Sequence, residues 1–104
     1  MAAHIFDIDG TLVDYHTSEW LYGAKETIVK LYNAGHDIIL ITMRCDRDDG
    51  TIWSIENTKK TILKDLDDLN VKYTILFNIQ SPRTLHDDSP IFTDQRYMNQ
   101  TYPI

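Results

Sequence analysis

Cysteine is almost absent from this sequence. Cys45 is the only one in 104 residues, so no disulfide can form within the chain, and the expectation is a reducing, cytoplasmic setting. Long apolar runs are missing too. No stretch approaches the roughly 20 residues of a membrane span. Asp7 and Asp9 interrupt the amino-terminal segment where a secretory leader needs an apolar core. No membrane partner is expected. Glycine and proline are few, 4 and 3, and no repeat, low-complexity tract or linker breaks the chain. Basic residues are outnumbered, 10 Lys and Arg against 16 Asp and Glu, for a net charge of −6. Such a chain repels polyanions at long range, which argues against general nucleic-acid binding. A small anion can still bind where a metal ion and one or two basic side chains meet. His4, His16, His36 and His86 show no zinc-ligand spacing.

The apolar and charged fractions, 42% and 25%, are those of an ordinary folded chain, and the length predicts a single domain over 1–104. Residues 3–8, Ala-His-Ile-Phe-Asp-Ile, read as a short buried strand. Residues 18–33 read as a helix with Ser18 as N-cap, a stripe of Leu21, Ala24, Ile28 and Leu31, and Gly35 as the stop. Residues 37–42, Asp-Ile-Ile-Leu-Ile-Thr, form a continuous apolar run that suits a parallel strand. After a polar loop at 43–50, a second helix is expected over about 51–69, buried along Ile52, Ile55, Ile62, Leu66 and Leu69. Tyr73–Phe77 reads as a third strand, 78–90 as a loop and Ile91–Thr93 as a short fourth strand; 96–104 shows no pattern. The order β-α-β-α-β-loop-β predicts an α/β fold with a parallel sheet and right-handed crossovers. Ligands bind such sheets at the carboxyl ends of the strands. Asp7, Asp9, Thr42, Arg44 and Asp94 all fall there.

The strongest signal is Asp7-Ile8-Asp9-Gly10-Thr11. Four fixed letters in this pattern match by chance on the order of once in 10⁵ positions. Two carboxylates this close repel each other. A hard divalent cation such as Mg²⁺ relieves that repulsion and also binds phosphate oxygens. Gly10 lets the chain turn sharply out of the strand.

This segment resembles motif I of the haloacid dehalogenase superfamily, most of whose members are Mg²⁺-dependent phosphatases, and the likeness extends over roughly residues 3–97. It implies a Rossmann-like three-layer fold, strand order 4-1-2-3, in a small phosphatase-like member. It also implies that Asp7 is the nucleophile that becomes an aspartyl-phosphate, and that Asp9 protonates the leaving oxygen and then activates water. Ile39–Arg44 resembles motif II, with Thr42 donating to the phosphoryl group; Arg44 either assists or faces solvent. No lysine follows Lys72, so Arg83, in Ser81-Pro82-Arg83, stands in for the lysine of motif III. The resemblance gives Asp7, Asp9 and Asp94 as metal ligands. Gln95 replaces a second acid, and Asp87 and Asp88 are the alternative source of one. The short intervals between motifs leave no room for a cap domain, so bulky phosphorylated substrates or a homo-oligomer are expected.

Plainer readings accompany these. Cys45 is a bystander, Trp20 and Trp53 pack rather than hold substrate, and Asp46, Asp48 and Asp49 belong to a solvated loop. A non-catalytic binding module on the same fold is the main alternative to a phosphomonoesterase. A receiver-type phospho-acceptor is set aside, because its acceptor Asp follows the third strand, where this chain has Phe77-Asn78.

Overall fold

The structure, a computed structural model, describes residues 1–47 and 49–94. In chain order these form β1 (Ala3–Asp7), α1 (Ala24–Asn33), β2 (Asp37–Ile41), α2 (Ile55–Lys60), α3 (Ile62–Asp68) and β3 (Thr74–Leu76). The three strands make one parallel sheet in the order β1-β2-β3, with Phe6 beside Leu40 and Leu40 beside Ile75. The α/β class and the parallel sheet are therefore as expected. None of the described helices is long and apolar enough to cross a membrane.

Alternation along the strands sorts their side chains between two faces. Ile38 and Leu40 of β2 point into a core shared with Ala24 and Ile28 of α1 and with Ile62, Leu63 and Leu66 of α3. Full burial of each large aliphatic side chain here stabilises the fold by about 1.5–3 kcal/mol. Both helical segments thus lie on one face of the sheet. The reason is topological: both crossovers step the chain in the same direction along the sheet, and right-handed connections then fall on the same side. The opposite face carries Ile5 and Leu76, 46% and 49% exposed. The expected second helical layer does not occur among the described residues, which form two layers rather than three.

Three further expectations are corrected. Residues 91–94 form no strand beside β1, so order 4-1-2-3 reduces to 1-2-3 among the described residues. Pro90 has no N–H to start a ladder, the run Ile91–Thr93 is only three residues long, and Phe92 is 93% exposed. Gln95 and the tail lie outside the described residues. Ser18 is not a helix cap: α1 starts six residues later, after Gly23 at φ 77. Residues 13–20 instead make a tight hairpin, with Val13 bridged to Trp20 and the Asp14 N–H donating to the Glu19 carbonyl at 2.7 Å. The Asp14 carboxylate accepts from the N–H groups of Thr17 and His16, which hold its pKa below the usual range. The expected helix over 51–69 is split at Thr61, whose φ and ψ are −117 and −82. The hydroxyls of Thr58 and Thr61 donate to carbonyls four residues back, each at 2.7 Å, a contact that bends helices.

Other local signals act as read. Gly35, at φ 92, ends α1: its N–H donates to the Tyr32 carbonyl and the His36 N–H to Leu31, at 2.9 and 3.1 Å. Beyond β2 and β3 the pairing continues, with Asn78 N–H to the Arg44 carbonyl and Ile79 N–H to the Thr42 carbonyl, both 2.8 Å. This pairing fixes residues 42–44 and 78–79 side by side at the carboxyl end of the sheet.

The split helix gives a direct test. Leu66 is fully buried, whereas Leu69, expected on the same face, is 44% exposed. In urea unfolding, Leu66→Ala should cost about 2–5 kcal/mol, and Leu69→Ala less than about 1 kcal/mol. Equal costs would refute the placement of α3.

Candidate functional site

Asp7 is the last residue of β1, and the chain turns immediately after it. The N–H groups of Leu12 and Val13 both donate to the Ile8 carbonyl, at 2.9 and 3.1 Å. Gly10, at φ 82, allows that tight turn. Ile8, Leu12 and Val13 anchor it in the core. The side chains of Asp7 and Asp9 are thereby left at the rim of the sheet, on the wall of a cleft of about 410 Å³ that also includes Arg44 and Arg83.

Arg44 does not face solvent, one of the two readings left open by the sequence: it is buried, 2% exposed. Its Nε and Nη2 donate to the two carboxylate oxygens of Asp9, at 3.0 and 2.7 Å. Nη2 also donates to the Ser18 hydroxyl at 2.9 Å, and Nη1 to the Ile52 carbonyl at 2.8 Å and the Thr58 hydroxyl at 3.0 Å. A guanidinium has five N–H donors, and each has an acceptor here. The bidentate pairing keeps both Asp9 oxygens engaged.

Arg83 holds the other aspartate. The pairing beyond β3 sends residues 79–83 across the end of the sheet, and two carbonyls of this loop grip the guanidinium: Gln80 accepts from Nε and Ile79 from Nη2, both at 3.1 Å. The remaining Nη1 donates to Asp7 Oδ1 at 2.8 Å. Burial pushes the Asp7 carboxyl above its usual range, while the hydrogen bond and charge of Arg83 act in the opposite direction. Because the folded value is raised, the stability linked to neutral Asp7 is present below the ordinary carboxylate pKa. It is lost as pH rises through the folded value.

Of the residues singled out from the sequence, the structure brings together Asp7, Asp9, Arg44 and Arg83. It does not add Thr42 to the cleft wall. Thr42 is fully buried, and its hydroxyl accepts from the Arg44 N–H at 3.0 Å; it stabilises the strand-end turn instead of facing a phosphate. Asp94 is exposed. Among the described residues no three His, Cys, Asp or Glu side chains stand close enough to share an ion, so the expected triad of Asp7, Asp9 and Asp94 is not assembled. A smaller set does suit Mg²⁺, which commonly takes one or two protein oxygens and keeps its waters. By the resemblance, the Asp7 carboxylate would supply one and the Asp9 carbonyl a second; no main-chain N–H donates to that carbonyl among the described residues.

Three side chains on the cleft wall went unread in the sequence, Tyr15, Met43 and Arg47, and Trp53 joins them. Trp53, expected to pack, is half-buried against the Tyr15 ring and donates its indole N–H to the Tyr15 carbonyl at 3.2 Å. Nothing local in the sequence signals this contact, which spans 38 positions. Trp20 does pack against the core, with its N–H on Asp65 at 2.8 Å.

No family model, curated protein or solved structure matches this chain.

The two arginine pairs differ sharply in burial. The side chains of Arg44 and Asp9 are 1% and 13% exposed, those of Arg83 and Asp7 24% and 32%. Arg44→Ala leaves a buried carboxylate and two hydroxyls without their donor and should cost about 3–5 kcal/mol in urea unfolding. Arg83→Ala, at the wetter pair, should cost about 1 kcal/mol or less. Similar losses from both would contradict the central place given to Arg44.

Proposed function

We propose that the chain is a Mg²⁺-dependent phosphatase of the haloacid dehalogenase type, with Asp7 as nucleophile. The supporting observation is the meeting of Asp7, Asp9 and Arg83 in one cleft at the carboxyl ends of parallel strands, where α/β sheets bind ligands. In the first step an Asp7 carboxylate oxygen attacks phosphorus. The bond from phosphorus to the ester oxygen breaks, and Asp9 gives a proton to the departing alcohol. In the second step water attacks phosphorus, its proton passes to Asp9, and the bond to Asp7 breaks, returning the carboxylate and releasing inorganic phosphate. The Asp7 carboxylate and the Asp9 carbonyl would hold Mg²⁺, which would supply neutralising charge to the phosphoryl oxygens. Arg83 has further N–H groups beyond its contacts with Asp7, Gln80 and Ile79, and in this reading these bind phosphate oxygens.

Asp9 has to leave part of its bidentate contact to do this work. A proton on either of its oxygens competes with an N–H of Arg44 that is already there. That same contact is the observation favouring the second reading, a binding module that keeps the fold without turnover. An aryl phosphate assay separates the two. The catalytic reading expects phosphate release that needs Mg²⁺, is abolished by EDTA and is restored by added Mg²⁺. Asp7→Asn should remove it entirely, and Asp9→Asn should lower kcat by roughly 10²–10⁴-fold. Binding of phosphate esters without release would establish the module. Release that persists in Asp7→Asn would eliminate the covalent route.

A further inference from the structure

The cleft has an aromatic wall that the chemistry above does not use. Tyr15 stands in the hairpin of residues 13–20 and Trp53 just ahead of α2. Their ring centroids are 5.9 Å apart at an interplanar angle of 48°. The indole N–H bonded to the Tyr15 carbonyl fixes the orientation of Trp53. Yet Tyr15 remains 49% exposed and its neighbour on the wall, Met43, 51% exposed. Tyr15 is thus exposed and Trp53 half-buried, both held in place in the same cleft as Asp7 and Arg83. Arg47 adds a cation to that wall; its Nε and Nη2 pair with Asp49 at 3.0 and 2.8 Å, leaving Nη1 uncommitted to that carboxylate.

We infer that Tyr15 and Trp53 form a platform for a planar ring, and that the ligand of this cleft is a phosphate monoester whose alcohol carries a nucleobase. This rests on the proposed phosphate site at Asp7 and Arg83. Large π faces fixed at low entropy cost suit stacking, and a flexible thioether such as Met43 adapts to the edge of a ring. The cations placed around them suit an anionic ligand. A sugar phosphate without a base reaches the acidic end of the cleft and leaves the rings bare. The same chemistry is offered by a free nucleotide and by the phosphorylated end of a strand. The net charge of −6 favours the free nucleotide, because it opposes a polyanion.

The test compares adenosine 5′-monophosphate with ribose 5-phosphate, which share the ester and differ by the base. Binding to Asp7→Asn protein in Mg²⁺ is followed by the two indole N–H signals in NMR. The nucleotide should bind about tenfold tighter or more, the effect expected of one stacked base, and should shift the Trp53 signal. In Trp53→Leu and Tyr15→Leu the difference between the two ligands should collapse; a purely structural role would weaken both alike and keep their ratio. A 5′-phosphorylated tetranucleotide should bind more weakly than the mononucleotide, and tighter binding would overturn the choice of a free nucleotide. Equal affinity for the two small esters, or a preference for the nucleotide that survives both substitutions, would overturn the platform. Turnover by the wild-type protein keeps the two proposals apart. Tight nucleotide binding without phosphate release upholds the platform and defeats the phosphatase. Equal hydrolysis of both esters does the opposite.

Discussion

The site is organised around one buried cation. The Arg44 guanidinium draws its five acceptors from three separate stretches of chain: Asp9 in the turn after β1, Ser18 in the hairpin, and Ile52 and Thr58 around the start of α2. Taking such a group out of water carries a penalty of several kcal/mol. That penalty is offset only while every one of these contacts is made. The fold therefore has little freedom to move any of the three segments alone. The hairpin and the chain before α2, which carry Tyr15 and Trp53, are tied to the turn that carries Asp9.

Asp7 occupies a different position in this arrangement. It sits one residue before the anchored turn, and its partner Arg83 comes from a loop held mainly by main-chain contacts at the end of β3. The pair is partly exposed to solvent and can be rearranged at small cost. In the proposed reaction the looser hold leaves Asp7 accessible as nucleophile, while Asp9 gives up part of its contact with Arg44 when it moves a proton. The open face of the sheet, with Ile5 and Leu76 exposed, has no part in this and follows from the two crossovers running in the same direction.

The sequence exposed those features that depend on short-range pattern. Apolar runs located β1, β2 and β3, and Gly35 ended α1 through a backbone conformation that glycine adopts readily. The Asp7–Asp9 pair stood out because its spacing after a strand is rare. What stayed hidden depends on contacts distant in sequence. Ser18 has the letters of a helix cap, but its hydroxyl serves Arg44, 26 positions away. Arginine is usually exposed, and only the assembled acceptors reveal that Arg44 is not. Thr61 splits a helix through a hydroxyl contact that competes with regular helix geometry. The aromatic wall exists because residues 15 and 53 meet, and neither neighbourhood announces the other. Ile91–Thr93 has strand-forming residues, but three of them after a proline do not make a ladder.

The claim that most needs testing is that Asp7 becomes covalently phosphorylated. Protein quenched in acid during turnover of an aryl phosphate with Mg²⁺ can be reduced with borohydride, which converts an acyl phosphate on aspartate to homoserine. Peptide sequencing by mass spectrometry should then find homoserine at position 7 and aspartate unchanged at position 9. An unmodified Asp7 in protein that is releasing phosphate, or the label on another residue, would contradict the account.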